Sequence, residues 1–296
     1  MEELKAIVAQ LERLNQKLED VFPTKASSED LEPAFAYRWT GIQNRNPLQP
    51  IADLHYSRLE DLLHIQDQKE ALILNTQQFL KGYSANNALL WGSRGTGKST
   101  LIRAILGAFG DQGLRMIDVP RTLLSELPDI QSALKGRPEH FIIFCDDLAF
   151  ESDDANYKML KAILEGALSG DSGRFLIYAT SNRRHLLPEY GEDNLKASWI
   201  DDELHQGEAV EEKISLSERF GLWLSFRAFN QDQYLELVAH WLNVLGEPHD
   251  FKEARPEALR YALTRGSRSG RIAVQFARHW CGRKRLEQEL SSKVST

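Results

Sequence analysis

The spacing of hydrophobic positions changes along the chain. Leu4, Ile7, Leu11, Leu14, Leu18 and Val21 recur at alternating steps of three and four, which is the period of one helix face. This stripe, within residues 1–22, is shorter than three heptads. It fits a helix docked on its own domain or a partner or oligomerisation helix, because short coiled coils are marginal alone. From 23 to 50 the period is lost. Pro23, Pro33, Pro47 and Pro50 stand among polar residues, so this stretch reads as a linker or irregular arm. Its Phe35, Tyr37 and Trp39 require some surface to pack on.

From 51 to 228 short apolar runs alternate with helical patterns. Leu59 to Leu80 reads as a helix. Residues 87–91, 114–119, 140–145, 175–179 and 222–226 read as five strands. The unbroken apolarity of His140-Phe-Ile-Ile-Phe-Cys145 suits a strand covered on both faces. The alternation predicts an α/β fold, a five-stranded parallel sheet with helices on either side. After 228 the strands stop. Asn230 and Gln233 form a capping-box pair ahead of the stripe Tyr234, Leu235, Val238, Trp241, Leu242 and Leu245. Gly246 closes that helix, Pro256 is placed at the start of a second, and a third runs from about Arg271 to Leu290. Residues 229–296 are thus expected to form a small all-helical lid.

Composition removes several classes of function. A hydrophobic share of 42% supports a real core. Cys145 and Cys281 are the only cysteines, too few for a disulfide framework, which favours a reducing, cytoplasmic setting. The N-terminus has early acids and no apolar segment of the secretory kind, and no stretch approaches the ~20 apolar residues needed to span a bilayer. A net charge of −7 argues against a dedicated nucleic-acid binder, although a local basic patch remains compatible with one.

Candidate chemistry begins at Gly92-Ser93-Arg94-Gly95-Thr96-Gly97-Lys98-Ser99. Glycine, four residues, then Gly-Lys-Ser is the phosphate-binding P-loop. The glycines let consecutive N–H groups turn inward, and the following helix aims its positive end at the phosphates. Lys98 supplies a charge for the β- and γ-phosphates, and the Ser99 hydroxyl is a ligand for Mg²⁺. The nucleotide contacts extend to Thr100. The strand ending in Cys145-Asp146-Asp147 supplies the second half of such a site. Asp146 is the expected Mg²⁺ residue and Asp147 the group that orients the attacking water. Glu151 is an alternative base or a surface acid.

Together these residues resemble the AAA+ ATPases over roughly 60–280. Asp146-Asp147-Leu148 is similar to the branch of bacterial initiators and helicase loaders. The wider set, Asn75-Thr76, Phe79-Leu-Lys-Gly82, the P-loop, Phe144 to Leu148 and Glu212 to Gly221, resembles a bacterial AAA+ family known only as a domain of unknown function. AAA+ relatives often carry Glu where Asp147 stands, so a shorter base is expected to change the rate. The resemblance makes Asn182, after Thr180-Ser181, the first sensor beside the γ-phosphate, with a turn cap as the alternative. It makes Arg219 a finger reaching a neighbouring subunit's nucleotide, with a surface salt bridge to Glu218 or Glu212 as the alternative. It makes Arg271 the second sensor, with Arg268 competing, and puts His64 either at adenine or simply on the surface.

Two features stay ambiguous. Arg278-His-Trp-Cys-Gly-Arg-Lys-Arg285 is basic with an interleaved aromatic, either a solvated helix face or a nucleic-acid contact. Residues 189–212 carry nine acids and one lysine and read as a surface loop or a docking segment for a basic partner. The expectation is an ATP- and Mg²⁺-dependent ATPase that forms a homo-oligomer, hydrolyses ATP between subunits and remodels or regulates a macromolecular partner. That partner is expected to be protein rather than nucleic acid, with no membrane role. The alternatives are a nucleotide-dependent switch or scaffold with little turnover and a nucleic-acid-associated loader.

Overall fold

A computed structural model describes residues 34–52, 57–150, 155–164, 174–184, 186, 198–200, 203–205, 219–246 and 251–294, with residues 10 and 13. The heptad-like stripe and most of the acidic stretch lie outside the described residues. Within the latter, Ser198–Ile200 and Glu203–His205 pair antiparallel as β7 and β8.

The main sheet is built from β1 (Ala36–Trp39), β2 (Leu48–Pro50), β3 (Ala88–Gly92), β4 (Leu114–Asp118), β5 (His140–Cys145), β6 (Phe175–Ser181) and β9 (Leu222–Phe226). Their order is β2-β1-β4-β5-β6-β3-β9. Every pairing is parallel except β1 with β2. The α/β class therefore stands, but the sheet has seven strands rather than five. Both additional strands come from the stretch expected to be a linker. β1 pairs with β4, and Trp39 Nε1 and the Ile42 amide both donate to Glu126, at 2.6 and 2.8 Å. Pro50 is tolerated because β2 is an edge strand and needs no ladder donor there.

Strand β5 shows why both faces are covered. Phe141, Ile143 and Cys145 join one core, while Ile142 and Phe144 join the other. The second core is roofed by α1 (Gln66–Leu80) and α2 (Lys98–Phe109). The first receives Ile130 of α3 (Leu127–Ala133) and Tyr157 and Leu160 of α4 (Ala155–Ala162). The expected helix from Leu59 starts at Gln66 instead, since His64 has φ 61°, outside helical backbone, and Leu59–Asp61 is a 3₁₀ turn. Asn75 and Thr76 tie α1 to the sheet. The Asn75 amide donates to Asn86 O at 2.8 Å and Tyr178 Oη at 3.1 Å, and Thr76 Oγ1 is 2.9 Å from the same phenol.

Helices α5 (Gln231–Val244), α6 (Phe251–Thr264) and α7 (Gly270–Val294) form the lid around Tyr234, Val238, Phe276 and Trp280. The capping box of Asn230 and Gln233 is present. Pro256 lies inside α6 rather than at its start. It falls in the second turn, where its missing N–H removes one backbone bond. Among the described residues no helix is long and apolar enough to cross a membrane.

Candidate nucleotide-binding and catalytic site

Parallel strands bring their carboxyl ends to one edge, and β5, β6 and β3 are consecutive neighbours. The residues leaving them, Asp146-Asp147, Asn182 and the P-loop, therefore converge without any special folding of the loops.

The P-loop conformation depends on glycine at defined points. Gly92 has φ +127°, and a Cβ there would lie 2.1 Å from the Phe226 carbonyl oxygen. The next amide, Ser93 N, donates to that same oxygen at 3.0 Å, so β9 holds the loop's entry. Gly97, left-handed at φ 102°, precedes α2. Thr96 Oγ1 donates to Ser93 O at 2.8 Å and closes the loop on itself. Lys98 Nζ donates to the Gly92 and Ser93 carbonyls, both at 2.7 Å, and to Asn182 Oδ1 at 3.2 Å. Burial pulls the Lys98 ammonium down to about 8, against the opposing pull of Asp147 and Asp146.

Asp146 is the polar hub. Its Oδ1 accepts from Ser99 Oγ at 2.5 Å and from Thr180 Oγ1 at 2.6 Å, and its Oδ2 lies 3.6 Å from Arg103 Nη2. A hydroxyl and a carboxylate sharing one contact fit Mg²⁺, a hard cation usually bound by one or two protein oxygens together with phosphates and water. Asp147 adopts φ 52°, uncommon for a residue with a Cβ. Its amide donates to Thr180 Oγ1 at 2.9 Å, and its Oδ1 accepts from the Asn182 amide.

The lid closes the other side. Gly270 N donates to Gly95 O at 2.9 Å. Ser269, the residue capping α7, packs so near Gly95 that a Cβ there would lie 2.7 Å from Ser269 Oγ. The resulting cleft, about 830 Å³, is lined by Arg94 to Thr100, Asp146, Asp147, Asn182 and Arg271. Its apolar wall includes Leu62, Ile65, Phe229 and Trp241. This volume and mixed lining suit a nucleotide-sized ligand.

The structure thus gathers the P-loop, Ser99, Asp146, Asp147, Asn182 and Arg271 into one cleft. Arg271 lines it and Arg268 does not. Arg219 is elsewhere, on the turn before β9. Its alternative partners, Glu212 and Glu218, lie outside the described residues, as does Glu151. His64 does not line the cleft either. Its Nε2 lies 3.1 Å from Glu236 of α5, bridging core and lid. Sequence reasoning missed Thr180, Arg103, Ser269 and Arg278. Thr180 had a signal, since it lies within the Thr-Ser-Asn in which Asn182 is expected as the first sensor.

The sequence from 32 to 284 matches the family described as "Protein of unknown function (DUF815)". The chain belongs to this family. No protein of curated function matches its sequence. Among solved structures it is similar to Thermotoga maritima RuvB, a Holliday junction branch migration motor, with 16% identity and a TM-score of 0.51 over 76% of this chain and 63% of that one. It is also similar to Aeropyrum pernix ORC1 in complex with DNA, with 17% identity and a TM-score of 0.50 over 71% of this chain and 57% of that one. The chain therefore spans less than two thirds of the length of these neighbours. The likeness shows the fold alone: this DUF815 member shares the α/β architecture of these two proteins.

Proposed function

We propose that the protein is a cytoplasmic AAA+ ATPase that binds ATP with Mg²⁺ in this cleft and hydrolyses it at the contact between two copies of the chain, remodelling or regulating a partner protein. The observation carrying this reading is the convergence of Lys98, Ser99, Asp146, Asp147, Asn182 and Arg271 on one cleft. The triphosphate takes over Lys98 from the loop carbonyls. Ser99 and Asp146 would hold Mg²⁺, which would supply charge neutralisation at the triphosphate. Asp147 accepts the proton of a water that Asn182 helps to orient, the water attacks the γ-phosphorus, and ADP leaves.

The place of Arg219 favours an oligomer. It precedes β9, whose first residue pairs with Ala88, the first residue of β3, while the P-loop follows the last. At ~3.3 Å per residue, a five-residue strand separates them by about 17 Å, beyond the reach of one arginine side chain. A guanidinium at that end serves a neighbour's phosphate instead. Lys98→Ala and Arg219→Ala proteins should each lose hydrolysis. Mixed in equal amounts, they should regain about a quarter of the wild-type rate, since random pairing leaves that share of interfaces with both groups intact. Complete inactivity of the mixture, with both variants folded and exchanging, overturns the shared site.

A second reading is a nucleotide-dependent switch with little turnover. It is favoured by the bond from Asn182 to Asp147, which occupies both groups that would handle water. Tight ATP binding and nucleotide-dependent partner capture at background turnover would select it.

A further inference from the structure

The basic run on α7 is not one charged face. Arg278 lines the nucleotide cleft. Lys284 Nζ lies 2.6 Å from Glu253 Oε1, and Arg285 Nη2 donates to Leu245 O at 2.9 Å. Arg283 belongs to a second groove, of about 350 Å³, between α6 and α7. Tyr261 and Trp280 contribute its aromatic surface, and Arg260, Arg265 and Arg283 line it with them. The Arg265 guanidinium lies 5.3 Å above the Tyr261 ring, and that of Arg283 lies 4.7 Å above Trp280. Stacking of this kind fixes the guanidinium planes while leaving their N–H edges available for an oxyanion. Arg260 has Glu257 at 2.8 Å and Arg283 has Glu287 at 3.6 Å, the latter longer than a hydrogen bond.

The indole beneath Arg283 is itself buried, so its N–H signal reports on the guanidinium above it. Trp280 is 2% exposed, and its Nε1 is the one buried side-chain polar atom without a hydrogen-bond partner among the described residues. The groove therefore combines positioned cations with apolar surface.

We propose that this groove docks an acidic segment of a partner protein. A carboxylate pairs with Arg265 and Arg283, the latter lying over the Trp280 ring, while a neighbouring apolar side chain packs beside Tyr261. Nucleic acid fits less well, because a phosphate backbone needs a track of cations and the run's charges are dispersed. The groove suits one or two side chains rather than a polymer groove. The same helix presents Arg271 and Arg278 to the nucleotide cleft, so both sites bear on α7. The proposal stands whether or not the cleft hydrolyses ATP.

The full chain, labelled with ¹⁵N-tryptophan, would be titrated with an octapeptide of alternating glutamate and leucine, with the lysine–leucine counterpart as control. Trp280→Phe assigns the indole cross-peak. Should that variant fail to fold, the displacement of the same peak in Arg283→Gln assigns it through the stacking. The expected result is movement of the Trp280 indole N–H signal with the glutamate peptide alone, and binding about tenfold weaker in Arg265→Gln/Arg283→Gln. An unmoved signal overturns the proposal. So does a signal moved by a (dT)₁₂ oligonucleotide instead, which would mark a nucleic-acid site, or by protein concentration alone, which would mark a second copy.

Discussion

Replacing Gly95 by alanine separates the P-loop from the lid by one methyl group. Gly95 has φ +73°, and an added Cβ would lie 2.7 Å from Ser269 Oγ and 2.8 Å from Ser269 Cβ. Left-handed backbone costs a residue with a Cβ about 1–2 kcal/mol. The contact is a separate cost. Rotating Ser269 cannot relieve it, because the Ser269 Cβ itself is too close. Ser269 is also buried, with its Oγ accepting from Ile272 N at 3.3 Å. Lid or loop must shift, at about 1–3 kcal/mol for overpacking of this size. Gly95→Ala should therefore lose roughly 2–5 kcal/mol in urea unfolding, and ATP affinity should fall with it. Ser269→Gly removes the obstructing atoms and, as a cap replacement, costs only a few tenths of a kcal/mol. In the double variant about 1–3 kcal/mol should return as coupling. Strict additivity of the two substitutions would refute the contact between lid and loop. An unaffected Gly95→Ala protein would refute both components.

Three further outcomes follow from the site and its supports. Lys98 is held at about 8 in the fold against its ordinary 10.5. Between those values the unfolded chain binds the extra proton, so this residue's contribution to stability rises with pH from about 8 to 10.5. Lys98→Met should flatten that slope in urea melts, and an unchanged slope would reject the assignment. Glu126→Ala strands two donors, Trp39 Nε1 and Ile42 N. It should destabilise the fold by about 2–4 kcal/mol, with Glu126→Gln losing less, and a neutral alanine variant would show that β1 is not anchored there. Thr180→Val keeps the volume but loses the bonds to Asp146 and Asp147 N. Steady-state ATPase should drop roughly 10–100-fold with ATP affinity nearly unchanged, and equal losses in binding and rate would make Thr180 a binding residue instead.

Much of the central sheet was legible because its signals are local. The apolar run at 140–145 needs no distant information to be a covered strand, and the P-loop carries its own turn, charge and helix start. The edge strands were not legible. β1 and β2 are short, flanked by prolines, and become strands only through pairing with β4 and the anchoring of Trp39 on Glu126. The same distinction runs through the site. Asp146 and Asn182 could be placed because each follows a recognisable strand. Ser269 meets Gly95 across the lid, a contact no local spacing encodes. His64, open in the sequence between adenine and the surface, lies beside Glu236 of α5, a neighbour that local spacing likewise does not encode.

Gly270, whose amide is bonded to the P-loop, opens a 25-residue helix. At 1.5 Å per residue α7 is about 37 Å long, so a tilt of about ten degrees at that hinge sweeps its far end through roughly 6 Å. The helix is a lever with its fulcrum on the phosphate loop. Small adjustments at that loop would thereby be amplified at the far end of the helix, where a second molecule would feel them.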